Sequence, residues 1–416
     1  MRGRAVEVAD PAVVRQPLSW SRTLLLLAAG LGMAVDISEV ALSAVLATVF
    51  ASPGKPAAAG LTWLLTALPL GAVIGAPVAG WAADRFGKAP VLALALLAMA
   101  LTSTLCAFAP DMATLAACRF LCGLAVGAFP PVMIALLADR LPPQTSQRLA
   151  VVVTGLASIG PLLLVLLIRA LELTPVAPLQ GWRWGLLIVA VAALVAAALF
   201  GLVAMRAEPL PLQRPVVVSA VAERLVWRRL APLFLIFFLS PWATSAFPML
   251  NGALAVRRGF QVDQGLLLVA LTGAGPILAV ALAPFVLGRG RPTNTLAALG
   301  LAMILIALLF AGTSNKIVLM STALSYGVCM QLYLPNLLLL AAQSAPNGAR
   351  ALFTASLWSA NRIGTILVPL SLIGVLNNWG PLATVVAISV AIGAALPLLI
   401  LFGRLVDAPA HGPHHG

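Results

Sequence analysis

Charge is scarce in this chain: Asp, Glu, Lys and Arg make up 9% of its 416 residues. Soluble domains run near about 25% charged, and so thin a polar surface cannot cover a soluble core holding 62% hydrophobic residues. Histidine is rarer still, with all 3 in the tail "HGPHHG", and the 4 cysteines fall within apolar runs, so neither a disulfide framework nor a histidine-rich metal site is expected. Cys118 and Cys122 share a helix face, but no further ligand stands near them. No GxxxxGK[ST] loop, HExxH pair or Gly-x-Ser-x-Gly elbow occurs, which argues against nucleotide hydrolysis and the commonest hydrolase chemistries. An enzyme is not expected, and no cofactor is called for.

What is present is a succession of apolar runs of about 20 residues, the length that crosses a bilayer as a helix. They fall at 23–48, 60–82, 90–109, 113–138, 148–170, 183–205, 229–254, 265–288, 294–313, 316–343, 350–376 and 382–403, and are numbered spans 1 to 12. The expected fold is an all-α membrane protein of twelve transmembrane helices. The first run follows Ser21-Arg22 like a secretory signal, but it is too long, carries acidic residues, and its removal would leave an odd count.

The net charge of +13 does not mark a nucleic-acid surface, because the basic residues cluster at the ends of apolar runs. With a cytoplasmic N-terminus, 17 of the 25 Lys and Arg lie on cytoplasmic segments, 6 on external ones and 2, Arg119 and Arg362, inside spans. The positive-inside rule therefore places both termini in the cytoplasm of a multi-pass protein of the inner (plasma) membrane. The longest connection, "RAEPLPLQRPVVVSAVAERLVWRR", separates six spans from six. The expected domains are a tail over 1–22, a bundle over 23–205, a cytoplasmic loop over 206–228, a second bundle over 229–403 and a tail over 404–416. Two such halves imply a site near the midplane, opened alternately to each side. A faint repeat supports the division: "GWAADRFGK" (80–88) corresponds to "PFVLGRGRP" (284–292) at an offset of about 204, with Arg85 against Arg289.

Two carboxylates stand inside span 1, Asp36 and Glu39, while the other ten acidic residues fall in tails, loops or helix ends. A charge at that depth costs at least about 2.5 kcal/mol on insertion scales, so both are functional candidates. Spaced by three, they share roughly one helix face.

"GWAADRFGK" resembles the loop motif of the major facilitator superfamily, and the resemblance extends over the chain through "CRFLCGLAVGAF" (118–129) in span 4 and "GWRW" (181–184) opening span 6. It implies two pseudo-symmetric six-helix bundles in a monomer that carries a small-molecule substrate coupled to protons. It also implies a conformational latch: Gly80 for close helix packing, Gly87 for backbone freedom, Asp84 against the start of span 11 near Ala349, and Arg85 or Lys88 pairing with Asp139 beside Arg140. Spans 1, 4, 7 and 10 are expected around the central cavity. At about 1.5 Å per residue, Glu39 and Arg119 reach similar depths, so an ion pair is expected between them. Asp36 is left without a cation in its own half and is the expected proton carrier. The competing reading is that both carboxylates only pair with arginines and hold helices together. Arg362 lies near the level of Asp36, and either neutralising it or receiving an anionic substrate remains open.

Further candidates for the substrate site are Tyr326 and Tyr333, seven apart on span 10, with Gln331 and Asn336; Trp358 and Asn361 beside Arg362; and Trp242 in "SPWATSAFPMLN", whose prolines predict a kink in span 7. "GLASIGPLLL" carries Gly155, Gly160 and Pro161, similar to the helix 5 motif of proton-driven exporters, although Leu164 and Val165 replace the glycines that follow in that motif. The expected function is proton-coupled export of a small organic molecule, a drug or metabolite such as a siderophore. The alternative is a proton-coupled symporter importing an organic anion.

Overall fold

The computed structural model describes residues 20–51, 58–127, 129–140, 156–173, 179–206, 220–286, 291–344 and 350–407. Helix occupies each of the twelve predicted spans, and there is no strand among the described residues. Span 1 is Trp20–Phe50, span 2 Ala58–Phe86, span 3 Lys88–Ala107, and span 4 Met112–Val126 continued by Phe129–Arg140. Span 5 is Ile159–Leu173, span 6 Gly181–Arg206, and span 7 Ala220–Pro241 running through Trp242–Ala246 into Phe247–Arg257. Span 8 is Val262–Val286, span 9 Pro292–Gly312 and span 10 Lys316–Ser344. Spans 11 and 12 share Arg350–Asp407, broken at Gly380, whose φ of 84° ends one helix before Pro381 begins the next. By length and composition ten of these segments can cross a membrane, one of them the 47-residue stretch Leu357–Gly403 that holds two spans. Gly155, Arg289 and Ala349 lie outside the described residues, as do both tails and residues 207–219.

With every helix apolar, no single face is marked for burial, and small residues decide where helices approach. A Cβ on Gly123 would stand 2.2 Å from the carbonyl oxygen of Leu68, and one on Gly71 2.2 Å from that of Phe120, so spans 2 and 4 touch through their backbones. The second half repeats this crossing 204 residues later: a Cβ on Gly327 would stand 2.1 Å from the oxygen of Thr272, and Gly275 abuts Gly327. A third pair follows the same offset, Gly160 of span 5 on Ala34 of span 1 and Gly364 of span 11 on Phe238 of span 7. The repeat that is faint in residue identity is regular in packing.

Gly80 corrects one expectation. A Cβ there meets nothing within 4 Å, because the close approach of span 2 is made further along, by Gly71 and Gly75 against span 4. Gly87, between spans 2 and 3, has φ 94°, a left-handed conformation suited to glycine.

An even number of spans puts Trp20 and Asp407 on one side, called the terminal side; the turns at 108–111, 179–180, 258–261 and 313–315 lie on the other, distal side. There Asp111 caps span 4, and the hydrogen bonds from Thr114, its backbone N–H first, hold the carboxyl below the usual carboxylate range. Two arginines close the distal ends of spans 3 and 9. Arg183 donates to the carbonyls of Ala107 at 2.5 Å and Ala109 at 3.0 Å, and Arg258 to those of Phe310 at 2.7 Å and Thr313. These are the orphan carbonyls of a helix C-terminus, which need donors in any setting poor in water. The halves also meet on this side. Thr48 of span 1 sits between Gly252 of span 7 and Gly265 of span 8, and Arg169 of span 5 pairs with Asp263 of span 8 at 3.4 Å.

If the glycine crossings set the fold, Gly123→Val and Gly327→Val should each destabilise by at least about 1–3 kcal/mol through overpacking. Gly201→Ala and Gly273→Ala, where a Cβ meets nothing within 4 Å, should be neutral or slightly stabilising. Thermal denaturation followed by size-exclusion chromatography measures this, and a Gly123→Val protein as stable as Gly201→Ala would contradict it.

Candidate functional site

The Glu39 to Arg119 pair forms. Arg119 Nη1 donates to Glu39 Oε2 at 2.6 Å, and Nη2 donates to the Glu39 carbonyl at 2.6 Å and to Ser43 Oγ at 3.0 Å. Ser103 of span 3 donates to the other carboxylate oxygen, Oε1. Glu39, Arg119 and Ser103 are all fully buried. Each charge therefore has an opposite charge and added hydrogen bonds, the condition under which a buried ion pair is tolerated. Ser43 and Ser103 were not among the sequence candidates. Small hydroxyls are common in apolar helices, and only the rotation of spans 1, 3 and 4 about their axes shows which of them reach the pair.

Asp36, one turn along span 1, is placed differently. It is 6% exposed, and its Oδ1 is buried with no hydrogen-bond partner among the described residues. The cation it senses is Arg362 of span 11, in the opposite half, with Glu39 a weaker repulsive neighbour. Asp36 and Arg362 act on each other electrostatically, and no ion-pair contact within 4.0 Å joins them among the described residues. Arg362 is half-buried and lies 5.7 Å from the ring centre of Trp358, one turn before it on the same helix. Of the predicted site residues, then, the structure puts Arg362 over the ring of Trp358, brings Asp36 within electrostatic reach of Arg362, and locks Glu39 and Arg119 together inside the first half.

Span 7 faces this cluster with an irregular turn whose cause is legible in its prolines. Pro241 has no N–H for the carbonyl of Phe237, and Pro248 none for that of Thr244. Ser240 Oγ supplies the first missing donor, to Phe237 O at 2.7 Å. Across Trp242–Ala246 the helix widens to a π turn, whose i to i+5 bonds pass over the second gap. The expected kink is thus a π turn. Asn361 Nδ2, beside Arg362, donates to Ser240 Oγ at 2.7 Å, and the Tyr326 hydroxyl donates to the carbonyl of Ala243 at 2.9 Å while its ring stacks on Phe247 at 4.2 Å. Ser240 and Ala243 stand 204 residues after Asp36 and Glu39. In each half a carbonyl at the same depth receives a donor from the fourth helix, Arg119 in one and Tyr326 in the other.

The remaining candidates are dispersed. Tyr326 and Tyr333 are buried, Trp242 is buried against Phe238 at 5.9 Å, Gln331 is half-buried, and buried Asn336 donates to Leu332 O at 2.8 Å. Gly160 and Pro161 lie at the crossing with span 1. At the terminal side Asp84 and Arg85 are exposed, with Arg85 over the rings of Trp81 at 5.7 Å and Phe86 at 5.8 Å; Lys88 is half-buried. Asp139 and Arg140 end span 4, and their side chains lie outside the described residues.

Breaking the inner pair from one side strands a charge, which costs about 3–5 kcal/mol in a buried setting. Arg119→Ala and Glu39→Gln should each lower folded yield, and the double substitution should recover part of the loss, read as a coupling energy in a double-mutant cycle. Strictly additive losses would show that the contact contributes nothing.

The sequence profile of the major facilitator superfamily matches residues 19–369. Among curated proteins, the niacin transporter NiaP of Acinetobacter baylyi is 31% identical over 172 residues, 41% of this chain and 38% of its own length. The multidrug resistance protein B homolog of Mycobacterium tuberculosis is 32% identical over 228 residues, 53% of this chain and 36% of its own length. Each match thus spans less than half the length of the relative. Among solved structures, that of a D-xylose-proton symporter superposes with a TM-score of 0.73, covering 93% of this chain and 98% of the other at 16% identity. A nucleoside transporter, NupG, superposes at 0.71 with 14% identity, covering 92% of this chain and 99% of the other. With a profile match over most of its length and this arrangement of helices, the chain belongs to the major facilitator superfamily of membrane transporters.

Proposed function

We propose that this protein is a proton-coupled secondary transporter of a small organic anion, working by alternating access, with Asp36 as proton carrier and Arg362 as the cation that receives the substrate. The observation that carries this reading is the contrast within one helix turn. Both carboxylate oxygens of Glu39 are bonded, whereas Asp36 has a buried oxygen with no partner and its facing cation across the interface between halves. A buried carboxyl group in that position is tolerated when neutral or when a cation faces it, so a change at the interface changes its need for a proton.

The moving parts in this reading are the halves 23–205 and 229–403. Thr48 between its two glycines and the Arg169 to Asp263 pair close the distal side, and the 17-to-6 distribution of basic residues supports taking the terminal side as cytoplasmic. The opposite state would then be latched by Asp84 at the start of span 11 and by Arg85 or Lys88 with Asp139. Exposure of Asp84 and Arg85 fits a latch that is open when the distal side is shut.

Direction divides two readings. Uptake of an anion with a proton is favoured by Arg362 beside Trp358, a cation next to an aromatic face, and by a relative named for niacin, an aromatic carboxylic acid. Proton-driven export of a drug or metabolite, a siderophore among the classes, draws on the multidrug relative. The exporter-like Gly160-Pro161 adds little to that second reading, since Gly160 has its packing counterpart in Gly364.

In proteoliposomes with nicotinate as probe, an inward proton gradient should drive accumulation by the wild type. Asp36→Asn should abolish that accumulation while retaining nicotinate exchange between the two sides. Full gradient-driven accumulation by Asp36→Asn would remove Asp36 from the coupling.

A further inference from the structure

The distal closure and the π turn together put one serine at the end of the space between the halves. Thr48 of span 1 meets Gly252 of span 7, its counterpart 204 residues later, so this contact marks the faces that spans 1 and 7 turn to each other. Seven residues make two helical turns, and the same faces carry Ala41 and Ser245 on the terminal side of that contact. Both are half-buried, and Val40 beside Ala41 is 51% exposed. Within the π turn Trp242, Ala243 and Ala246 are buried, which leaves Thr244 and Ser245 as its residues open to this space.

The two hydroxyls differ. Thr244 Oγ1 donates to the carbonyl of Ser240 at 3.1 Å, the bond to the residue four back that Thr48, Thr272 and Thr365 also make. Ser245 Oγ carries no hydrogen bond among the described residues. Its depth relative to Arg362 follows from Asn361, whose bond to Ser240 sets the start of Arg362 at the level of Ser240. Five residues on, Ser245 is about 7 Å nearer the distal side. The Arg362 guanidinium leans the other way, back over the ring of Trp358. A cation and an unpaired hydroxyl thus stand at opposite ends of one stretch, with the apolar Val40 and Ala41 on the span 1 side.

Resting on the anion site proposed for Arg362, we infer that Ser245 is the specificity residue of that site and that the substrate is an aromatic monocarboxylate with a second polar group on the ring edge away from the carboxylate. The carboxylate lies on Arg362, the ring beside Trp358 and against Val40 and Ala41, and the far group bonds Ser245 Oγ. One six-membered ring with a hydrogen bond at each end fills the stretch, and an acid as short as acetate does not reach across it. A serine hydroxyl both donates and accepts, so a phenol hydroxyl and a pyridine nitrogen both fit. A ring without such a group covers the hydroxyl and gives it no partner, which is the source of the discrimination.

Titration calorimetry of the purified full chain with benzoate, 4-hydroxybenzoate and isonicotinate tests this through ratios of affinity, benzoate being the reference that offers the hydroxyl nothing. The wild type should bind 4-hydroxybenzoate and isonicotinate about two- to tenfold more tightly than benzoate, the range of one neutral hydrogen bond. In Ser245→Ala both ratios should fall to about one, because the group that discriminates is gone. Ser371→Ala, which removes an exposed hydroxyl bonded within its own helix, should leave both ratios as they are. Wild-type ratios near one, or ratios unchanged in Ser245→Ala, overturn the role of Ser245 and leave the anion site standing. Failure of the wild type to bind any of the three acids, or binding as tight in Arg362→Gln, overturns the anion site itself.

Discussion

Everything at the centre of this protein depends on one constraint: at bilayer depth, no charge or backbone polar group can be left to water. The Arg119 to Glu39 pair is the first half's response. It draws in Ser103 from span 3 and Ser43 from span 1, so three helices are fixed against one another by a single set of hydrogen bonds. That rigidity sets the level and facing of Asp36, one turn away.

The second half answers the same constraint with neutral groups. Pro241 and Pro248 remove donors from the middle of span 7, and Ser240, Asn361 and Tyr326 replace or compensate for them. Because the two halves share one packing register, the donors arrive at equivalent depths, yet one half uses ions and the other hydroxyls and an amide. The first half is thereby a charged, rigid block that holds a carboxyl at its surface. The second presents Arg362 beside an aromatic ring. A bundle with two identical charged halves would lack that complementarity across the interface.

Much of this was legible in the residues themselves. Run lengths gave the twelve spans, and the depth count paired Glu39 with Arg119, because rise per residue in a helix is fixed and charge in an apolar run is rare. Rotation about the helix axis was not legible: the helices are apolar nearly all round, so Ser43 and Ser103 carry no mark that separates them from other serines. Glycine roles failed for the same reason. Gly80 stands in a motif, yet Gly71, Gly123 and their counterparts 204 residues on make the close crossings. The π turn required knowing which carbonyls Pro241 and Pro248 orphan, together with which neighbours supply donors, and the second fact exists only in the folded bundle.

In the proposed function one carboxyl at depth, that of Asp36, takes up and releases the proton during the transport cycle. Infrared difference spectra of the protein in membranes, recorded across a pH change with isotope-labelled aspartate, report the carbonyl stretch of protonated Asp directly. The predicted result is a single protonated-aspartate band that appears on acidification, shifts with the label and is absent from Asp36→Asn. A band that survives in Asp36→Asn, or that fails to shift with labelled aspartate, would contradict the claim and return the proton to another group.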